Sequence, residues 1–202
     1  MNLKGFTLAE TFCTMVIISV LSLLFFQNVY FNYTRRVAAT KIQRFHTIIK
    51  QIQLKAQKDY SDWIDYYLKP ETITEERFMN EYILPYVTYL KKDVDADGNV
   101  HVFLSDSTSF SIKKTSCMTF IYDINGDNPP NIPGKDIFYF NYCPATDSSF
   151  IRQGDFIPYL TKSMSNKEAA LGMCRETPMS CSGYISFYNF EFPEEYPYRI
   201  PL

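Results

Sequence analysis

The sequence has few of the residues on which enzyme chemistry most often depends. It contains only two histidines, His46 and His101, and neither belongs to a Ser-His-Asp or Cys-His pattern of the kind that activates a nucleophile. A glycine-rich phosphate loop and a metal-hydrolase motif are also absent from the sequence. These absences predict that the chain is not an enzyme.

The sequence also lacks an excess of charge of either sign. Twenty Lys and Arg residues stand against 22 Asp and Glu residues, which leaves a formal net charge of −2. Because nucleic-acid-binding proteins usually carry a basic field, no nucleic-acid partner is expected. The 202 residues allow one domain and an anchor, but not a second catalytic domain.

Proline and glycine are missing from residues 6–59, which predicts one uninterrupted helix on the order of 80 Å long. Residues 11–31 are apolar and uncharged, and they are long enough to cross the roughly 30 Å hydrocarbon core of a bilayer. Glu10 lies at the start of this run, where an unpaired carboxylate carried to the membrane centre would cost on the order of 2.5–3.5 kcal/mol. The sequence therefore predicts a membrane segment whose one carboxylate needs a partner.

The second half of the predicted helix has an apolar stripe with helical spacing, which we expect to lie against a globular domain. An aromatic group and two arginines separate this stripe from the membrane segment, as is typical of a membrane edge. The stripe consists of Ala38, Ile42, Phe45, Ile49, Ile52 and Ala56, and the edge of Tyr30, Phe31, Tyr33, Arg35 and Arg36.

Four cysteines, an even number, lie beyond the helix and predict two disulfides in an exported domain. Three pairings are possible; we favour Cys174 with Cys181, which closes a short loop, and Cys117 with Cys143, which flank apolar runs. Buried thiols are the alternative, and the absence of a C-x-x-C pair makes zinc less favoured. The fifth cysteine, Cys13, falls in the membrane segment.

Alternating apolar and polar residues predict an antiparallel sheet after the helix. Predicted strands cover residues 99–105, 109–113, 118–122 and 136–142, and an aromatic strand at 183–192 is expected to close the fold. Thr74 is expected to be the N-cap of a second helix, and residues 165–172 are expected to form a short capped helix. The fold class is thus α+β.

The first residues carry a specific motif, Gly5-Phe6-Thr7-Leu8-Ala9-Glu10, after a leader with one lysine and before the apolar helix. This motif resembles the class III signal of type IV pilins and type II secretion pseudopilins. The resemblance implies that a membrane peptidase cuts after Gly5, that Phe6 becomes a methylated N-terminus, and that Glu10 pairs with the N-terminal ammonium of a neighbouring subunit. Pairing would offset two charges that are each costly next to lipid.

The resemblance implies a pilin-like α+β fold with a leader at 1–5, a transmembrane helix at 6–33, its amphipathic continuation at 34–60 and a globular domain at 61–202. It implies a structural subunit of a type IV pilus-like or type II secretion filament. The implied partners are the prepilin peptidase and methyltransferase, other pilin or pseudopilin subunits, the assembly platform and the membrane. A low-copy tip subunit that binds a surface, ligand or DNA is an alternative, as is a single-pass membrane protein that never polymerises.

The same resemblance implies an inner-membrane protein whose C-terminal domain lies outside the cytoplasm and later joins a periplasmic or cell-surface filament. The excess of basic residues after the apolar segment opposes this orientation under the positive-inside rule. Two observations outweigh the number of basic residues: the leader motif, and the predicted disulfides, because disulfides need an oxidising compartment. A conventional secretory signal cut near residues 37–39 is a weaker alternative, because its apolar region would be unusually long.

The loop at 123–136 is the most distinctive segment outside the helix and is similar to a D-x-N-G loop of many pilin-like proteins. Oxygen-bearing side chains at Asp123, Asn125, Asp127 and Asp136 could surround a calcium ion. Alternatively, the same side chains cap turns by bonding to their own backbone, which is the favoured interpretation. No cofactor is certain, and Ca²⁺ is the one candidate. The segment 93–99 resembles the start of a calcium loop as well, but position twelve would be Leu104 instead of glutamate, so a tight turn is preferred there.

Overall fold

The computed structural model describes residues 7–59, 74–95, 99–114, 117–142 and 156–201. Helix α1 runs without a break over Leu8–Asp59 and contains 52 residues, which corresponds to about 78 Å at 1.5 Å per residue. Its second half packs on a six-stranded antiparallel sheet. This layout confirms the predicted α+β fold, a long N-terminal helix on a small antiparallel sheet.

Each strand of the sheet pairs with the next strand along the chain, so the strands form a simple meander in the order β1-β2-β3-β4-β5-β6. Strands β2 to β5 lie where alternation predicted them, within a few residues at each end. Strands β1 and β6 were not predicted, because β1 is short and highly charged and β6 has three residues and ends in proline. The bounds are β1 Lys91–Val94, β2 Val100–Phe103, β3 Ser109–Lys114, β4 Met118–Asp123, β5 Ile137–Tyr142 and β6 Phe156–Pro158.

The apolar stripe of α1 forms the helix side of the core, as predicted. Its six residues, from Ala38 to Ala56, are between 0% and 3% exposed. Two polar contacts fix the position of the helix along the sheet. The Lys41 ammonium donates to the Ile124 carbonyl at 2.7 Å, and the Phe156 amide donates to Gln53 Oε1 at 3.1 Å. The first bond holds the helix at the end of β4 and the second holds it at β6.

A short irregular helical segment precedes the sheet. Helix α2 spans Glu75–Phe78, and its N-cap is Thr74, whose hydroxyl accepts from the Arg77 amide at 3.2 Å. A π-helical turn at Met79–Ile83 and a 3₁₀ turn at Leu84–Tyr86 follow. The predicted N-cap is confirmed.

The C-terminal part contains two helices joined by a disulfide. Helix α3 spans Lys167–Glu176, extends further than predicted, and is capped by Asn166. Cys174 in α3 bonds to Cys181, the first residue of α4 at Cys181–Ser186, which confirms that pairing. Cys117 is also disulfide-bonded, while Cys143, its favoured partner, lies outside the described residues.

The strand predicted at 183–192 is wrong. The chain there forms the end of α4 and then turns, and Asn189 and Phe190 have positive φ angles of 53° and 66°, which no strand accommodates. The alternating aromatic residues have the pattern of a strand. The disulfide of Cys181 instead holds this segment as a short helix that packs near the sheet. Gly183 permits this contact, because a Cβ at that position would lie 2.5 Å from the Tyr159 carbonyl oxygen.

Candidate assembly site

The beginning of α1 forms a capping box around Thr7 and Glu10. The backbone amide and the hydroxyl of Thr7 both donate to Glu10 Oε2 at 2.8 Å, and the Glu10 amide donates to the Thr7 hydroxyl at 3.3 Å. This reciprocal arrangement satisfies amide groups that a helix start leaves without partners. The T-x-x-E spacing could have revealed it from the sequence, although the sequence analysis did not use that signal.

Only one oxygen of the Glu10 carboxylate takes part in the capping box. Within the described residues, Glu10 Oε1 accepts no hydrogen bond, and the side chain is exposed. Glu10 can therefore cap its own helix and still accept a hydrogen bond from a cation of another chain. Gly5 and Phe6, the residues expected at the cleavage point, lie outside the described residues, so cleavage, methylation and pairing stay predictions.

The first half of α1 exposes an apolar surface on every side. Leu8 is 90% exposed, Phe12 69% and Phe25 68%, and the helix is long and apolar enough to cross a membrane. Scattered apolar residues are normal on a protein surface, but a continuous apolar helix marks a surface that lipid or protein covers. One helix near the N-terminus is thus suited to membrane anchoring.

The exposed half of α1 ends abruptly at the globular domain. Among the helix residues whose side chains are described, Thr34 is the first that is buried, at 1% exposure. One residue later, the Arg35 guanidinium folds back over the Phe31 ring at 4.4 Å from its centroid, the direction in which helical side chains lean. The membrane edge predicted from the aromatic residues and arginines coincides with this boundary.

The loop at 123–136 is organised by its own carboxylates. Asp136 is fully buried, and its two oxygens accept from the Asn131 and Ile132 amides at 2.8 and 2.6 Å. Asp123 Oδ1 accepts from the Asn125 amide at 2.9 Å, and the Asn131 side-chain amide, once turned so that its nitrogen faces the acceptors around it, donates to Asp123 Oδ2 at 3.0 Å. These bonds agree with the favoured turn-capping interpretation.

The three aspartates among the calcium candidates form no ready-made metal-binding group in the part of the loop that the structure describes. Within the described residues, no group of three or more His, Cys, Asp and Glu could hold a metal ion. Asp127 is exposed, and burial, with smaller contributions from Asp136 and Asp127, raises the pKa of Asp123 to about 7. Asn125 Oδ1 is buried without a hydrogen-bond partner, so calcium binding stays a prediction for a titration to test.

The two histidines lie in different surroundings. His46 packs against Phe140, Phe156 and Phe190, with ring centroids 4.9–5.9 Å away, and burial followed by the charge of Lys50 lowers its pKa to about 4. His101 Nε2 lies 3.4 Å from Asp95 Oδ2 on the sheet edge. The structure places His46, half-buried, against aromatic rings of the core, which is an ordinary structural environment.

Comparison with known proteins gives one match. A family model described as "Family of unknown function (DUF6613)" matches residues 29–200, which covers the globular domain and the helix half that packs on it. No curated protein and no solved structure matches the chain.

Proposed function

We propose that this chain, which belongs to the DUF6613 family of unknown function, is a structural subunit of a pilin-like filament. The observation that carries the proposal is the division of α1 into an apolar, largely exposed half that begins at Glu10 and a half with one stripe buried on the sheet. The exposed half has the length to anchor the subunit in a membrane and the apolar surface to pack with other copies in a filament core. The globular domain would then face outward.

The proposed assembly step depends on two charges. Cleavage after Gly5 would create a cationic N-terminus at Phe6, and the Glu10 carboxylate of a neighbouring subunit would accept from it. Because Oε1 accepts no bond within the described part of the chain, this pairing leaves the capping box intact. Each charge is costly next to lipid, so pairing would favour assembled subunits over separate ones.

The proposal places the subunit first in the inner membrane, with its C-terminal domain outside the cytoplasm, and then in a periplasmic or cell-surface filament. The Cys174–Cys181 disulfide supports an oxidising compartment for that domain. The peptidase, the methyltransferase, the assembly platform and other pilin-like subunits are the partners that this route requires.

A pair of variants separates assembly from helix capping. Glu10→Gln keeps a side chain that can complete the capping box but removes the charge, whereas Thr7→Ala breaks the capping box and keeps the charge. We expect Glu10→Gln to insert and be cleaved normally but to fail in filament incorporation, and Thr7→Ala to be incorporated. Incorporation would be measured by quantifying the chain in sheared filaments from the native host, and normal incorporation of Glu10→Gln would contradict the pairing.

The mass of the N-terminus of the native protein tests the processing step directly. A chain that begins at methylated Phe6 is the expected result. A chain that retains Met1 would replace the proposal with a permanent membrane anchor, and a start near Thr40 would indicate a secreted domain.

A further inference from the structure

Two arginines at the base of the globular domain form no direct ion pair within the described residues; burial lowers the pKa of Arg35, and the charges of Tyr196, Glu194 and Glu195 nearby raise it. Arg35 and Arg36 are the first charged residues after the membrane segment, and within the described residues neither guanidinium forms a hydrogen bond or an ion pair. Arg35 Nε is buried without a partner. In contrast, Arg44 and Arg77 lie against Asp106 and Glu81, respectively. The two arginines near the membrane are thus available to an anion.

Two carboxylates face these arginines from the C-terminal tail. Glu191 and Glu194 line the same cavity as Arg35 and Arg36, and their side chains form no hydrogen bond or ion pair within the described residues. Their neighbour Glu195 differs, because it accepts from the Tyr184 and Tyr188 hydroxyls at 3.1 and 2.9 Å. Glu194 acts on Arg35 through its charge without touching it, so the oxygens of both carboxylates still have room to accept hydrogen bonds from a cation.

The cavity has the two arginines on one wall and the two glutamates on the other, and its volume is about 530 Å³. Within the described residues, no ion pair joins the two walls. Separated charges of both signs around one space favour a ligand that carries both charges itself. A zwitterion would place its anion on the arginines and its cation on the glutamates. An ion of one sign would satisfy one wall and be repelled by the other.

The cavity lies at the level of lipid headgroups if α1 spans the membrane as proposed. Residues 11–34 carry no charge, and their length of about 36 Å exceeds the hydrocarbon core of roughly 30 Å by only a few ångströms. The Arg35 guanidinium also leans toward the membrane segment, over Phe31. The ligand nearest to this cavity is thus a phospholipid headgroup of the same leaflet.

We propose that this cavity binds the headgroup of an ethanolamine phospholipid, with the phosphate on Arg35 and Arg36 and the primary ammonium between Glu191 and Glu194. Arginine donates paired hydrogen bonds to phosphate oxygens, and a primary ammonium donates up to three hydrogen bonds, which carboxylates accept. A choline headgroup has the same charges but no donor, and a glycerol headgroup has no cation. The inference rests on the membrane anchoring of the proposed function.

The test uses the full chain in lipid nanodiscs that contain equal amounts of phosphatidylethanolamine, phosphatidylcholine and phosphatidylglycerol. Native mass spectrometry of the released protein counts the lipids that remain bound. We expect the wild-type chain to retain phosphatidylethanolamine over each of the other two lipids by about fivefold, the factor that partly exposed charge pairs provide. Equal retention of the three lipids, or a preference for phosphatidylglycerol, would overturn the proposal without the need for any variant.

Variants then assign each wall. Glu191→Gln with Glu194→Gln should retain phosphate lipids but lose the preference for ethanolamine over choline, whereas Arg35→Gln with Arg36→Gln should lose retention of both. Glu168→Gln with Arg175→Gln on exposed positions of α3 is the matched control and should behave as wild type. An unchanged ethanolamine preference in the glutamate variant would contradict the proposed orientation.

The same samples separate this inference from the proposed function. A chain that inserts into the nanodiscs but shows no headgroup preference would remove the lipid site alone and leave the filament proposal in place. A chain that does not insert at all would contradict the membrane anchoring and, with it, both proposals.

Discussion

Phe45 of α1 and Tyr122 of β4 stack face to face, with ring centroids 4.0 Å apart and ring planes inclined by 10°. The Phe45 ring also lies 5.4 Å from Phe110 and 5.6 Å from Phe140. The Tyr122 hydroxyl donates to the Lys41 carbonyl at 3.3 Å, one helical turn away. This stacked pair is therefore the centre of the interface that holds the long helix on the sheet.

Replacing Phe45 by alanine should lower the free energy of unfolding of the globular domain by about 3–5 kcal/mol, because it opens a cavity among aromatic rings. The measurement is denaturant unfolding of the detergent-solubilised chain, followed by tyrosine fluorescence. Leu54→Ala is the control on the same helix, since Leu54 is 67% exposed, and a change of less than about 0.5 kcal/mol is expected there. Equal effects of the two substitutions would show that α1 does not pack as described.

Replacing each of two glycines in neighbouring helices by alanine should change the stability of the domain in opposite directions. Gly183→Ala should destabilise the domain by about 1–3 kcal/mol, because the added methyl would collide with the Tyr159 carbonyl. Gly172→Ala should stabilise it by roughly 0.5–1 kcal/mol, since nothing lies within 4 Å of the new methyl and alanine favours a helix. Thermal unfolding of both variants provides the comparison, and a tolerated Gly183→Ala would argue against the close contact of α4 with the chain after β6.

His46 should make the domain less stable in acid. Burial lowers its pKa to about 4 in the folded protein, whereas the unfolded chain binds the proton near 6.5. As the pH falls from about 6.5 to about 4, protonation therefore favours the unfolded state. Because the ring is partly exposed, the effect should not exceed about 2 kcal/mol.

The measurement for His46 is the midpoint of urea unfolding between pH 7 and pH 4 in the wild type and in His46→Phe. The wild type should lose stability more steeply than the variant over this interval. Parallel curves would mean that the His46 ring is protonated equally well in the folded and unfolded states.

Asp136→Asn should destabilise the 123–136 loop by about 2–3 kcal/mol. The carboxylate accepts two backbone amides with both oxygens, and asparagine retains one acceptor and introduces a donor that faces amide hydrogens. Asp127→Asn, at an exposed position, is the matched control and should change stability by less than about 0.5 kcal/mol.

The same loop variants also test the calcium prediction. Since the loop satisfies its own carboxylates, we expect millimolar Ca²⁺ to leave the melting midpoint of the wild type unchanged. A ligand that binds only the folded state must raise that midpoint. A rise in the wild type that disappears in Asp127→Asn or Asp136→Asn would establish a calcium site.

The parts of the fold that could be predicted from the sequence are those with a clear local signal. The long helix follows from a run without proline or glycine, and its stripe from 3.6-residue periodicity. Strands β2 to β5 follow from alternation, and Thr74 from the preference of its residue type for helix starts. Each of these signals lies within one stretch of chain, so no knowledge of tertiary contacts is needed.

The remaining elements depend on contacts between distant residues. The aromatic alternation at 183–192 suggested a strand, but the disulfide at Cys181 and the contact of Gly183 with Tyr159 impose a helix and turns there. The cavity at Arg35 could not be predicted from the sequence either, because Glu191 and Glu194 are far away in the sequence and line the same cavity as the arginines only in the folded chain. At Glu10 the local capping signal was present, whereas the proposed pairing with a neighbouring chain rests on the resemblance of the N-terminal motif alone.

The unbroken course of α1 also gives the molecule a mechanical property. With no proline or glycine from Thr7 to Asp59, the apolar half of α1 and the half that packs on the sheet form one continuous helix, to which the Phe45–Tyr122 stack attaches the domain. A tilt of the helix by 10° would move a point about 50 Å along it by about 9 Å, given a rise of 1.5 Å per residue. A tilt of the apolar half of α1 would thus be transmitted to the domain as a displacement of several ångströms.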